Sequence, residues 1–328
     1  MDVLSQFLDG PRARSAFVLK VVLDSPWSMR IEDDAPISIV AITHGRMWIV
    51  HNGSSVPVPL TAGDVVIARG TEHYVLTDDP AREPTVVIGR GGHCRTLDGT
   101  RIFESMSLGV RTWGTSAVRP DVMLVGSYQT DGEVSRWLLD ALPPIVVLRS
   151  TDWESPLIAL LADEAVRAEP GQQVVLDRLL DLLLVGALRA AFAGGAVTVP
   201  AWFTAESDEV VGPVIRRMQD DPGHPWTVAE LAAAARVSRA QLARRFQELV
   251  GEPPMTFLTR WRMSLAADLM VEPDATVTAV AKTVGYGSPF TFSTAFKRAH
   301  GRSPRTYRDE QRAEASDRRS SLTAPHGA

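Results

Sequence analysis

The chain has 328 residues, 45% hydrophobic and 22% charged, an ordinary globular composition at a length that suggests two domains. A single cysteine excludes an internal disulfide framework and a Cys-rich zinc site. The net charge of −5 is unevenly placed: Arg236 to Arg312 carries 13 Lys and Arg against 7 Asp and Glu, so +6 there leaves −11 elsewhere, the asymmetry of a nucleic-acid-binding module on an acidic body.

The opening residues, Met1 to Gln6, lack a basic segment followed by an apolar run, so no signal peptide is predicted. The most apolar region, Val174 to Val185, is interrupted by Asp177, Arg178 and Asp181, which argues against a bilayer span. A cytoplasmic protein without membrane contact is expected. From Ala16 to about Val125, short runs rich in Val and Ile alternate with Gly, Pro, Asn and Asp: Phe17–Leu23, Ile37–Ile42, Met47–Val50, Val65–Ala68 and Val86–Ile88. Regularly spaced short strands predict a β-barrel or jelly roll. The string Leu60-Thr-Ala-Gly-Asp-Val-Val-Ile-Ala-Arg-Gly-Thr-Glu-His73 resembles the second signature of a cupin, and the segment Gly91 to Pro144 is similar to sensor domains of cupin type. Residues 1–150 are read as that domain.

Cupin enzymes hold a metal with a His-x-His pair, a glutamate and a second-motif histidine. Here His73 stands alone, because His44 and His51 are seven residues apart. Metal chemistry needs several converging ligands, so no metal and no cofactor is expected. His73 reads as a strand-end histidine satisfied by hydrogen bonds, with a part in sensing as the alternative. Cys94 lies beside His93, with Arg90 and Arg95 nearby. Neighbouring positive charge would favour its reactive thiolate and a redox-sensing role; against that, a free cysteine is commonly buried and inert. Ser155 to Arg167 and Val174 to Phe192 predict two helices around the turn Glu169-Pro170-Gly171. Leu176, Leu179, Leu180, Leu183, Leu184 and Leu188 make a broad face that either packs on the strands or forms a homodimer seam. Residues 151–195 are thus a helical segment, and 196–207 a linker.

An internal repeat occupies the next hundred residues. Val228, Leu231 and Ala232 recur 49 residues later as Val277, Val280 and Ala281; Ser238, Leu242, Phe246 and Gly251 recur 50 later as Ser288, Phe292, Phe296 and Gly301. Each copy reads as a short helix, a tight turn and a second helix. Thr227 with Glu230, and Ser238 with Gln241, predict capping boxes. Leu242, Phe246, Leu249 and Val250 form one buried stripe. Gly285 and Gly287 fall in the second turn, where positive φ is readily adopted. Opposite the stripes, the second helix of each copy is polar and basic. An α-helix fits the DNA major groove, where Arg can bond guanine and Gln adenine. Two such helices on one body would suit successive grooves about 34 Å apart, with Met255 to Met270 as the connecting helix.

The strings Trp226-Thr-Val-Ala-Glu-Leu-Ala, Ser238-Arg-Ala-Gln-Leu-Ala-Arg-Arg-Phe246, Gly251-Glu-Pro-Pro, Val284-Gly-Tyr-Gly-Ser288 and Gly301-Arg-Ser-Pro-Arg-Thr-Tyr-Arg308 resemble the AraC/XylS family of bacterial transcription regulators, one branch of which carries cupin-type sensor domains. The resemblance implies a double helix-turn-helix DNA-binding domain over 208–312. It places the base-reading face on Ala240, Ala243 and Arg244 in the first copy and on Pro289, Phe290, Ser293 and Thr294 in the second. Arg244 leads the base-reading candidates, with Arg239 and Gln241 beside it and Ser293 and Thr294 in the second copy. Where that face is small or apolar, methyl contacts and DNA shape are expected to contribute. Arg245, Lys297, Arg298, Arg305 and Arg308 are expected to hold phosphates, which position a protein without reading sequence. Residues 313–328, polar with few large apolar side chains, are expected to be disordered.

The fold class expected is therefore multi-domain α+β, a cupin-like β-barrel plus helices followed by an all-α domain. The expected function is a sequence-specific transcription regulator, an activator by resemblance, that binds double-stranded promoter DNA, meets RNA polymerase and senses a small molecule or redox signal. The alternatives are a cupin-type metalloenzyme with an accessory helical domain, which needs a metal constellation, and an interaction module whose basic helices meet an acidic protein.

Overall fold

The computed structural model describes residues 17–51, 56–69, 73–115, 120–128, 142–194, 197 and 200–323, and the chain divides near residue 198 into two compact units. In the N-terminal unit the strands are β1 (Phe17–Leu23), β2 (Ser28–Glu32), β3 (Ile37–His44), β4 (Arg46–His51), β5 (Val58–Thr61), β6 (Val65–Arg69), β7 (Tyr74–Thr77), β8 (Val86–Gly89), β9 (His93–Thr96), β10 (Ser107–Gly109), β11 (Thr112–Gly114), β12 (Asp121–Tyr128) and β13 (Ile145–Leu148). They form a seven-stranded sheet, β10-β11-β1-β12-β3-β6-β13, and a six-stranded sheet, β5-β4-β7-β2-β8-β9. The expected barrel is thus corrected to two open sheets: among the described residues the hydrogen-bond ladder ends at β10 and β13 on one sheet and at β5 and β9 on the other.

The sheets share a core in which side chains two residues apart point the same way. Leu19, Val21, Val40, Ile42, Val66 and Met123 come from the larger sheet and Met29, Ile31, Met47, Ile49, Leu76 and Cys94 from the smaller. Strand β3 is buried at six successive positions, Ile37 to Ile42, so both its faces are covered. Two helices pack on the second face, α1 (Leu157–Ala165) and α2 (Gln172–Ala193). Beside β3, Gly126 of β12 lets α2 approach so closely that an added Cβ would lie 2.4 Å from Leu180 Cδ1. Leu176, Leu180, Leu183, Leu184 and Leu188 are all fully buried, so these five leucines of the predicted face pack within the chain. The apolar side chains that α1 and α2 leave exposed are others, Leu160, Val174, Val175 and Leu182.

The string that resembles a cupin signature has a structural cause. Gly63 turns the chain at φ +90°, and its missing side chain admits Ser150, 2.7 Å from where a Cβ would stand. Asp64 is 2% exposed and accepts the amide protons of Thr61 (3.0 Å) and Ser150 (2.9 Å) and a guanidinium proton of Arg149 (3.0 Å). Burial pushes its carboxyl up, but those donors together hold it below the usual carboxylate range. The Gly-Asp pair therefore fastens the β5–β6 turn to the segment after β13.

The C-terminal unit is helical: α3 (Ala201–Ala205), α4 (Val211–Asp220), α5 (Val228–Ala234), α6 (Arg239–Val250), α7 (Pro254–Val271), α8 (Val277–Thr283), α9 (Pro289–His300) and α10 (Pro304–Thr323). Helix α3 occupies part of the stretch expected to be linker. At the other end, the chain expected to lose order after Arg312 continues as helix to Thr323. Low hydrophobicity made that stretch resemble a disordered tail, yet Ala313, Glu314, Ala315, Arg318 and Arg319 are all good helix formers.

Candidate nucleic-acid interface

Helices α5 and α6 make one helix-turn-helix and α8 and α9 a second. Thr227 caps α5 with a full capping box: its hydroxyl accepts the Glu230 amide proton at 3.2 Å while its own amide donates to the Glu230 carboxylate at 2.9 Å. Ser238 caps α6 by accepting from the Gln241 amide at 3.2 Å. The reciprocal bond expected from the Gln241 side chain is not made among the described residues, so the second predicted box is half formed and the Gln241 amide group stays at the exposed surface. Thr276 and Ser288 cap α8 and α9 in the same manner.

The two turns match in detail. The Val237 amide bonds the Ala232 carbonyl at 3.0 Å, and its counterpart Tyr286 bonds Ala281 at 2.8 Å. The left-handed position is Gly285 (φ +79°) in the second turn and, one repeat earlier, Arg236 (φ +58°) in the first. Gly287, also expected to supply positive φ, does not. Gly251 (φ +86°) and Gly301 (φ +74°) end the second helices alike, because glycine reaches that conformation without a Cβ clash.

Each unit is seated by aromatic packing. Phe246 of α6 meets Phe257 of α7 edge-on at 5.7 Å. Phe292 and Phe296 of α9 meet at a tilt, ring centres 5.6 Å apart, and Phe296 also meets Tyr307 of α10. Helix α7 runs 18 residues, about 27 Å at 1.5 Å per residue, and joins the two units. Its Arg262 fixes their relation: the guanidinium donates to the Pro222 and His224 carbonyls, at 2.6 and 2.7 Å, just before the first unit. The same guanidinium lies 2.9 Å from where a Cβ on Gly285 of the second turn would stand. Burial pushes that guanidinium below its usual range. Sequence reading missed Arg262; its basic side chain on a mostly apolar helix was the available signal.

The predicted reading residues fall on the outward faces of α6 and α9. Arg239, Gln241, Arg244 and Thr294 are exposed and Ser293 is half-buried. Both second-unit hydroxyls turn back on their helix, Ser293 donating to the Pro289 carbonyl (2.7 Å) and Thr294 to that of Phe290 (3.1 Å). Lys297, Arg298 and Arg305 are exposed. Arg245 is already engaged, its Nε bonding both Asp208 carboxylate oxygens at 3.1 Å. Arg308 is turned inward: its side chain is 22% exposed and reaches the Ala275 carbonyl. It braces the start of α8 from the second turn of α10.

The other two candidates lie in the N-terminal unit, apart from this surface in sequence and chemistry. His73 precedes β7 with Nε2 3.4 Å from Asp34, which also takes the Arg90 guanidinium at 2.6 Å. Cys94 is 4% exposed, and burial pushes its thiol up to about 12, the opposite of the thiolate that its sequence neighbours suggest. On a strand, adjacent side chains point to opposite faces: Cys94 points into the core, while His93 and Arg95 point out and Arg95 pairs with Glu32. Among the described residues, no three His, Cys, Asp or Glu side chains gather where they could hold a metal.

Duplicated capped units with exposed, basic second helices define a DNA-binding protein of double helix-turn-helix type. Residues 2–193 match the family described as Cupin, and residues 231–310 match the one described as Helix-turn-helix domain. The chain is 31% identical over 313 residues to a Streptomyces lividans protein provisionally named an AraC-like transcription regulator, covering 94% of this chain and 98% of that one. It is 28% identical over 319 residues to the HTH-type transcriptional regulator AlkR of Acinetobacter baylyi, covering 94% and 100%. The DNA-binding domain of AdpA, solved in complex with a target DNA, is 33% identical over 33% of this chain and 96% of that domain, with a TM-score of 0.32. The chain belongs to the AraC family of DNA-binding transcription regulators, with a cupin-type N-terminal domain.

Proposed function

We propose that the protein is a signal-responsive activator of transcription that binds promoter DNA in the cytoplasm. The observation that carries this reading is the exposed row Arg239, Gln241 and Arg244 on α6, a donor-rich helix face suited to guanine and adenine edges. Ser293 and Thr294 present the corresponding face of α9, and Lys297, Arg298 and Arg305 hold phosphates. Arg245 shares that work with its ion pair to Asp208. The N-terminal unit senses a small molecule; Cys94 inside the core speaks against the redox alternative. The exposed Leu160, Val175 and Leu182 support a homodimer through α1 and α2. Contact with RNA polymerase and the activating sense follow from the family resemblance.

The test is binding of the full chain to duplexes from its own promoter region over a range of salt. Sequence-preferring binding that weakens with salt is expected, and Arg244→Ala should lose about 1–3 kcal/mol of discrimination at one base pair. Equal affinity for all duplexes would refute the reading.

A further inference from the structure

The outward face of the second unit differs chemically from that of the first, and the difference centres on Phe290. This residue is second in α9 and 81% exposed, whereas Phe246, Phe257, Phe292 and Phe296 are fully buried. By the 50-residue repeat it takes the place of Ala240 in the first unit. It stands one turn before Thr294, as Ala240 stands one turn before Arg244, so both pairs share one helix face.

The protons of the neighbouring hydroxyls are spent on the Pro289 and Phe290 carbonyls. That leaves this face offering a phenyl ring, a threonine methyl and acceptor lone pairs where the first unit offers guanidinium and amide donors. The ring borders an open depression of about 540 Å³ lined by Phe290, Ser293, Thr294, Lys297, Arg298 and Ser303. A cationic rim around an apolar ring fits a polyanion that itself presents an apolar group. In the major groove only thymine does so, through its C5 methyl.

Resting on the regulator reading above, we propose that Phe290 is a specificity-determining residue that packs its ring on a thymine methyl. The operator half under α9 is then selected by apolar contact, while the half under α6 is selected by hydrogen bonds.

The test uses duplexes that the full chain selects from a randomised library. Each thymine of the second half is replaced in turn by deoxyuridine, which keeps the pairing and removes the methyl. One replacement should weaken wild-type binding about fourfold, equivalent to ~0.8 kcal/mol for one buried carbon group. Phe290→Ala should bind the thymine duplex weaker by at least that factor and respond to no replacement, and Phe290→Leu should retain part of the discrimination. An unchanged unfolding transition confirms that the variants fold. The proposal is overturned if no replacement affects the wild type, or if Phe290→Ala still discriminates thymine from uracil while selective, salt-dependent binding persists; the regulator reading then stands. A chain that selects no sequence overturns both.

Discussion

Arg236 holds a left-handed backbone at φ +58° where the second turn uses Gly285. A side chain in that conformation costs about 1–2 kcal/mol relative to glycine, part of it offset by the greater freedom of glycine in the unfolded chain. Arg236→Gly should therefore stabilise the helical unit by about 0.5–1 kcal/mol in denaturant unfolding. Gly285→Ala should act in the other direction and more strongly. Its Cβ would lie 2.7 Å from the Gly223 carbonyl oxygen as well as against Arg262, so overpacking adds to the backbone strain, about 2–4 kcal/mol together. At Cys94 the expectation is kinetic. The native protein should resist alkylation and react only after unfolding, because the thiol is both buried and held up at about 12; rapid labelling without denaturant would restore the redox-sensing idea.

The elements are held by caps and by a few ion pairs of unequal weight. Thr227→Ala removes the hydroxyl that accepts the Glu230 amide proton, leaves only the backbone half of the α5 capping box, and should cost about 1 kcal/mol, whereas no reciprocal bond supports the Ser238 cap. Asp208 ties the start of α4 to α6: it accepts the Val210 and Val211 amide protons at 3.0 and 2.9 Å and pairs with Arg245. The guanidinium, foremost, holds its carboxyl down at about 2. A carboxyl with a depressed folded value stabilises the fold above its unfolded value of about 3.9 and loses that contribution as pH falls toward 2. Wild type should accordingly exceed Asp208→Asn in denaturant midpoint at pH 5–6, and the gap should narrow steadily as pH falls from about 4 toward 2. A gap independent of pH would mean that the ion pair contributes nothing.

For the whole molecule, the uneven charge becomes an expectation about salt. Each phosphate contact adds about 0.9 to the slope of log affinity against log salt. Lys297→Ala should lower that slope by about one phosphate, equally on all duplexes. Arg308→Ala should leave the slope unchanged and weaken the helical unit instead, since Arg308 serves Ala275 rather than the surface. Equal slope losses for both variants would show that the inward placement does not persist on DNA.

Much of this architecture was legible in the residues. The 49- and 50-residue repeat, the serine caps and the Phe stripes specify two like units, because caps and helical periodicity act within a few residues of one another. Predicted β1, Phe17–Leu23, coincides with the strand observed, and both helices of the N-terminal unit were found within two residues at each end. Short strands such as β5, β7 and β10 escaped, because at three or four residues they lack the unbroken Val and Ile run that marks β8. Only the folded chain decided that Cys94 faces the core, that Arg308 turns inward and Phe290 outward, and that Arg262 couples the two units. Those outcomes depend on which side chain meets which partner across 30 or more residues of chain. No local pattern encodes that pairing; packing and desolvation choose it.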